Sequence, residues 1–334
     1  MRKRTWARLV PIVAALALVA TGCGESGGGG GGGGSGGGTI TGLEILVGTA
    51  PGGGFDQTAR TAAQVMEDAN LARNVRVSNV PGAGNTVALA QLVNQEGNGK
   101  VMQQMGLSVV GNVYTNKSKA TLNDVTPIAR LTQEPEIVVV RKDSPYQTLQ
   151  DLTTAWKADP GKVTVGGGGS PGSQDYLTPM LMAQQLGMDP KQVNYVAYDG
   201  GGELLTNLLG GEVAFGVTGV GETLDQIEAG EVRALGVSSA ERVESVDAPT
   251  LKEGGVDLEF INWRGWIAPG GLDENEKQAL TDLATKMHDT QQWKDALVKN
   301  GWTDAFMGPD EFSTFIKEED TRIREVLNQL GLAA

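Results

Sequence analysis

Leu43-Glu44-Ile45-Leu46-Val47, followed by Gly48-Thr49-Ala50-Pro51-Gly52-Gly53-Gly54-Phe55-Asp56, is the stretch on which the reading of the fold depends. A short apolar run bounded by glycine and proline reads as a strand and its turn. Beyond it, Ala59, Ala62, Ala63 and Met66 recur at the spacing of one helix face. The same order returns at once: residues 75–80 read as a strand, Pro81-Gly82-Ala83-Gly84 as a turn, and Val87, Leu89, Ala90 and Val93 as a helix face. Residues 101–109 read as a further strand. Repeated strand–turn–helix units imply parallel sheets covered by helices, an α/β class. Further along, strands are expected at 137–140, 162–165, 195–198, 213–217 and 233–237, with helices at 149–157, 175–186 and 203–209. From Asp273 onward the chain reads as helices broken at Gly301 and Pro309, the last with Phe312, Phe315, Ile316, Ile323, Val326 and Leu327 on one face.

The glycine turns carry the chemistry. In a parallel sheet they lie at the carboxyl ends of strands, where ligands bind. Glycine admits close approach of a ligand to the backbone, and the helix starts behind it offer unpaired N–H groups and a positive dipole end. Together these make a cradle for a carboxylate or phosphate. Four turns share the design: Gly52, Gly53, Gly54, Phe55 and Asp56; Ala83, Gly84 and Asn85; Ser170, Gly172 and Ser173; and Tyr198, Gly200, Gly201 and Gly202. Ser108, near the end of the third strand, joins the candidate site. Asp56 has two compatible readings, as the cap of its helix or as a ligand-facing acceptor. Phe55 either packs inward or lies against the ligand. Gly167-Gly168-Gly169-Ser170-Pro171-Gly172 fits G-x-G-x-x-G, but the acid about 20 residues on falls in a turn instead of at the end of a strand. No Gly-Lys-Ser/Thr occurs, so a P-loop is excluded.

The N-terminus sets the compartment. Arg2, Lys3, Arg4 and Arg8 precede an apolar run over 9–20 and then Thr21-Gly22-Cys23, the layout of a secretory signal. That run is shorter than the roughly 20 residues a permanent span needs. The lone cysteine stands where a lipoprotein signal places its acylated residue, and a nearly pure glycine tether follows to Gly38. Ala20 departs from the leucine commoner at that position. An ordinary signal with an incidental cysteine is the alternative. Removing residues 1–22 removes four positive charges and no negative ones, taking the net charge from −13 to −17. Such a chain is no general nucleic-acid binder. One Cys and one His exclude a Cys/His zinc cluster and an internal disulfide. His288, in a charged helical stretch, reads as a surface residue, which leaves Ser-His-Asp hydrolysis without a base. The expectation is a non-enzyme with no cofactor and no metal.

Pro51-Gly52-Gly53-Gly54-Phe55-Asp56-Gln57-Thr58-Ala59-Arg60 resembles the P-G-G-x-x-D-x-x-A-R signature of tripartite tricarboxylate transporter substrate-binding proteins, the Bug family. Pro81-Gly82-Ala83-Gly84, Gly172-Ser173, Tyr198-Asp199-Gly200-Gly201-Gly202, Glu228-Ala229-Gly230-Glu231-Val232-Arg233-Ala234-Leu235-Gly236-Val237 and Trp263-Arg264-Gly265-Trp266-Ile267-Ala268-Pro269 follow in family order. The resemblance covers residues 40–334. It departs at Asn85 and Ala88, where the family often has glycine, at Tyr176, where a histidine is usual, and around Gly99-Lys100-Val101.

The resemblance implies a periplasmic-binding-protein type II fold: two lobes, each a mostly parallel sheet flanked by helices, joined by two crossing strands. It implies a small carboxylate as ligand, a membrane permease as partner and a monomer. The expected organisation is a signal at 1–22, a tether at 23–38, lobe 1 at 39–141 plus 264–334 and lobe 2 at 142–263, with hinges near Arg141 and Trp263. Lipid on Cys23 would hold the protein at the extracytoplasmic face of the membrane. A receptor reporting to a sensor kinase and an exported enzyme are the rival readings.

Overall fold

The computed structural model describes residues 39–332. The signal, Cys23 and the glycine tether lie outside these residues. The described residues form one compact unit. It opens with β1 (Ile40–Thr41) and β2 (Glu44–Val47), followed by α1 (Gly54–Asp68), whose Ala59, Ala62, Ala63 and Met66 are buried. Next come β3 (Ala72–Arg73), β4 (Arg76–Asn79), α2 (Thr86–Val93), β5 (Val101–Gly106) and α3 (Leu107–Thr115). The expected strand at 101–109 therefore ends at Gly106. Leu107, Ser108 and Val109 turn into a helix whose buried face continues the core.

A single strand, β6 (Val125–Arg141), then runs 17 residues. It is followed by α4 (Leu149–Ala158), β7 (Val165–Gly167), α5 (Gln174–Gln185), β8 (Tyr195–Ala197) and α6 (Gly201–Gly210). β9 (Phe215–Gly219), α7 (Leu224–Glu228) and β10 (Val232–Val237) complete that half of the chain. β11 (Ile261–Pro269), α8 (Glu274–Asp289), α9 (Gln291–Lys299), β12 (Thr303–Met307) and α10 (Pro309–Gln329) close the chain. The all-helical reading of the C-terminal region is corrected at β12. Its residues pair with Arg130, Thr132 and Gln133 of β6, and that partner holds them extended.

Ten strands form one sheet, ordered β4-β2-β5-β11-β6-β9-β7-β8, with β10 and β12 also on β6. Two parallel sets lie at its ends, β4-β2-β5 in lobe 1 and β9-β7-β8 in lobe 2. Between them each neighbouring pair is antiparallel: β5 with β11, β11 with β6, and β6 with β9. β6 is shared: through Pro135 it pairs with β11, and from Glu136 it pairs with β9. The first crossing thus lies at Pro135–Glu136, upstream of the expected Arg141. The chain returns at Phe260, whose N–H donates to Ser238 O, before Ile261 pairs with Pro135. Lobe 1 packs a single apolar cluster that includes Ile45, Leu89, Met105, Trp266 and Phe312. Lobe 2 has two, around Trp156 and Phe215 and around Leu204 and Val139, as a sheet covered on both faces requires.

Candidate functional site

The turn after β2 is fastened from inside. Asp56 Oδ2 accepts the Gly52 N–H at 2.9 Å, Arg60 Nε donates to both carboxylate oxygens at 2.9 Å, and Asn79 Nδ2 donates to Oδ1 at 2.9 Å. Burial pushes the carboxyl's pKa up, but these bonds and the Arg60 charge outweigh it and hold it below the ordinary value. Asp56 therefore ties the loop to α1 and to β4 and does not line the cavity described below. Nor is it the N-cap, which is Gly53. Phe55 does line the cavity described below, with its ring close against Gly106.

After β4 the backbone enters the left-handed region for four residues in succession. Gly82, Ala83, Gly84 and Asn85 have φ of 133°, 44°, 56° and 75°. Glycine makes this cheap at two of the four, and asparagine is among the few others that tolerate it. That accounts for Asn85 at a position where the family favours glycine. Asn85 Nδ2 donates to Ser108 Oγ at 3.1 Å, and its Oδ1 is buried without a partner among the described residues.

These turns meet the lobe 2 turns around a cavity of about 340 Å³. Lobe 1 supplies Gly48, Thr49, Gly54 and Phe55, then residues 82–85, Ser108, Asn112 and Arg264. Lobe 2 supplies Gly168, Gly169, Ser170, Ser173, Gln174 and Asp175, then residues 197–200, Glu203 and Glu222. Apart from Arg264, every group follows the carboxyl end of a parallel strand. Five helices start here: α1, α2, α3 and α6, with Gly53, Asn85, Gly106 and Gly200 as N-caps, have no side-chain cap among the described residues, and α5 is capped by Ser173. Away from the cavity, α4, α8 and α9 are capped by Thr148, Asp273 and Thr290, while α7 and α10 start without a side-chain cap among the described residues. Uncapped helix starts leave N–H groups for an anion.

Of the residues expected at the site, Gly54, Phe55, Ala83, Gly84, Asn85, Ser108, Ser170, Ser173, Tyr198 and Gly200 line the cavity. Gly52, Gly53, Gly172, Gly201 and Gly202 lie outside its wall, for a geometric reason: most of them form the seam where the lobes touch. A Cβ on Gly53 would stand 3.3 Å from Gly200 Cα, and one on Gly202 would stand 3.8 Å from Gly52 O. A Cβ on Gly111 would collide with the Gly172 carbonyl. Gly201 instead backs onto Glu222, whose Oε2 would be 2.6 Å from an added Cβ. Two hydrogen bonds reinforce the seam, Ser170 Oγ to Asn112 Oδ1 at 2.9 Å and Thr115 Oγ1 to Pro171 O at 2.8 Å.

Sequence reasoning missed the charges. Arg264 on β11 is 2% exposed, pairs with Glu134 on β6, and leaves Nε and Nη1 without partners among the described residues. Burial raises the Glu134 pKa despite that pair. Behind the lobe 2 wall, burial and then the charge of Asp175 push Glu136 well above the carboxylate range. Asp175 accepts the Gly168 N–H at 2.8 Å, yet burial, then Glu222, pushes it up to about 7. The signals that could have found these residues were a lone arginine between two tryptophans and two glutamates inside an apolar strand. Glu222, in a single 3-10 turn, carried no such signal. His288 lies away from the cavity, partly buried, with its ring stacked on Phe306 at 4.3 Å and Nε2 3.0 Å from Asp304.

Comparison with known proteins decides the family. Residues 58–332 match the family described as "Tripartite tricarboxylate transporter family receptor". The chain belongs to that family of solute-binding receptors. A Cupriavidus necator protein named "UPF0065 protein in gbd 5'region" is 30% identical over 297 residues, 87% of this chain and 88% of the relative. The periplasmic binding protein BugD superposes with a TM-score of 0.80 at 22% identity, covering 88% of this chain and 98% of BugD. MatC from Rhodopseudomonas palustris with bound malate gives 0.76 at 23%, covering 86% and 99%. The receptor thus has the two-lobe periplasmic-binding-protein fold.

Proposed function

We propose that this receptor captures a small organic carboxylate between its lobes on the extracytoplasmic side of a membrane and delivers it to a tripartite tricarboxylate-type permease. The observation that carries the reading is the convergence of uncapped helix starts from both lobes on one cavity between them. The first contact is with lobe 1, at Gly54, the left-handed turn ending at Asn85, and Ser108. Ser170, Ser173, Tyr198 and Gly200 then close from lobe 2 by hinge motion at the crossings beside Pro135 and Phe260. In this reading lobe 1 comprises residues 39–135 and 261–334, and lobe 2 comprises residues 136–260. The seam glycines Gly53, Gly111, Gly172 and Gly200 have no side chains, so the closed lobes can touch. The malate in MatC and the family's tie to tricarboxylate transport support a carboxylate.

In the same reading the ligand leaves unchanged, without turnover or cofactor. Residues 1–22 are removed on export. Lipid on Cys23 holds a monomer, through the glycine tether, within reach of the permease. A two-signal rule applies to the anchor, since one acyl chain alone holds only marginally.

Titration calorimetry of the full chain in detergent against di- and tricarboxylates, aromatic acids and amino acids tests the core of this. The expected result is saturable one-to-one binding of at least one carboxylate. Binding by none of them overturns the reading.

A further inference from the structure

The two walls of the cavity carry opposite charge. Among the described residues, the lobe 1 wall carries Arg264 and no acid, whereas the lobe 2 wall carries Asp175, Asp199, Glu203 and Glu222 and no base. The helix starts divide in the same way. In lobe 2 the first turns of α5 and α6 already hold Asp175 and Glu203, which offset their dipoles. In lobe 1 the first turns of α2 and α3 hold no acid, so their N–H groups are open to an outside anion.

Two buried residues that line the same cavity each keep atoms without a partner among the described residues, with opposite demands. Arg264, 2% exposed, has free donors at Nε and Nη1, and Asn85, 5% exposed, has a free acceptor at Oδ1. Both are costly to bury unsatisfied. Together they ask for a ligand that both accepts and donates. Glu222 stands at the junction of the lobes. Its Oε2 accepts from Thr218 and its Oε1 from no group among the described residues, while Oε1 would lie 3.1 Å from a Cβ on Gly54, a point the Arg264 guanidinium crowds from the lobe 1 side.

We propose that the ligand is a zwitterion, a carboxylate that also carries a protonated amine, with its carboxylate against the α2 and α3 starts and its ammonium against Glu222. This rests on the carboxylate reading above and narrows it. A dicarboxylate would turn its second charge toward buried Asp175 and half-buried Glu222, with Asp199 and Glu203 at the exposed rim, and like charges repel there. An ammonium group offers three donors to the same acids. It also offsets the Glu222 charge that, after burial, raises Asp175.

The test is calorimetric titration of the full chain in detergent at pH 7.5 with butyrate, 4-aminobutyrate, glutarate, L-glutamate and n-butylamine, repeated on Glu222→Gln. The expected result is that 4-aminobutyrate or L-glutamate binds at least about tenfold tighter than glutarate and butyrate, and that Glu222→Gln reduces this ratio to near one. Glutarate binding as tightly as the amino compounds overturns the zwitterion and leaves the carboxylate reading standing. An amine preference untouched by Glu222→Gln overturns the assignment to Glu222. Binding of n-butylamine with none of the acids overturns the carboxylate reading itself, and binding of no probe overturns both. The comparison among ligands on the unaltered chain needs no variant to fold.

Discussion

Lobe 1 and lobe 2 present the cavity with the same part, a helix start behind a glycine turn, and differ in what neutralises it. In lobe 2, Asp175 and Glu203 sit in the first turns of α5 and α6, and Asp199 and Glu222 stand beside them. In lobe 1 the acid of α1, Asp56, is turned outward onto Arg60 and Asn79, and α2 and α3 have none. One fold device, used twice, therefore gives an open anion site on one side and a self-occupied one on the other. The same helix start binds or repels an anion according to one side chain in its first turn.

The charge behind the lobe 1 wall depends on a single ion pair, so the largest effect should come from Arg264. Arg264→Met leaves Glu134 buried at 1% exposure without its counter-ion, beside Glu136 and Glu222. Removing one partner of a buried pair costs about 3–5 kcal/mol. Urea unfolding should show that loss at unchanged m-value. The double variant Arg264→Met with Glu134→Gln should recover more than half of it. Equal losses in the single and double variants would mean that packing, and not the uncompensated charge, sets the cost.

The legibility of the sequence follows the same division. The glycine turns after β2, β4, β7 and β8 were readable because each is a local demand: a strand must stop, reverse and start a helix, and residues such as Gly82 and Gly84 satisfy it at positive φ. The long strands were not. β6 holds Gln133, Glu134, Pro135 and Glu136 in its middle, and charged residues around a proline argue against a central strand. They are tolerable because Arg264 arrives from 130 residues away, and neither half of that pair announces the other. β12 was hidden for the same reason, since it is extended only because β6 offers it an edge. The candidate glycines were found as a group, but their division between cavity wall and seam depends on how the lobes meet.

Asp175 of lobe 2 and Asp56 of lobe 1 should also answer pH with opposite signs. Asp175 has a folded pKa of about 7 against an ordinary 3.8, so the folded state keeps a proton that the unfolded chain releases. Its contribution is neutral below pH 4. It destabilises progressively from pH 4 to 7 and stays level above that, by up to about 4 kcal/mol. Asp56 is shifted the other way: its stabilisation is present above its ordinary value and is lost as pH falls through its lowered folded pKa. Stability measured by urea from pH 4.5 to 8 should therefore decline, and Asp175→Asn should flatten part of the decline and be more stable than the parent at pH 8. The neighbours Glu134 and Glu136, also raised by burial, keep the remaining slope in the same direction. A slope unchanged by Asp175→Asn would assign it wholly to those two.

The smallest effect should come from the outward acid of lobe 1. Asp56→Asn keeps a group able to accept the Gly52 N–H but loses the charge facing Arg60, whose side chain is half exposed. A pair so placed is screened, and its loss should cost about 1 kcal/mol at pH 7. The consequence for binding separates the two walls. Asp56 holds the turn that precedes Gly54 and is not part of the cavity lining, so its loss should loosen the loop and weaken capture several-fold without altering which ligand is preferred. Glu222→Gln, on the opposite wall, should alter preference and leave the loop in place. Measured side by side, a change in ligand selectivity in Asp56→Asn would mean that the lobe 1 turn reads the ligand's chemistry as well as holding its carboxylate. The contrast between a positioning wall and a selecting wall would then fail.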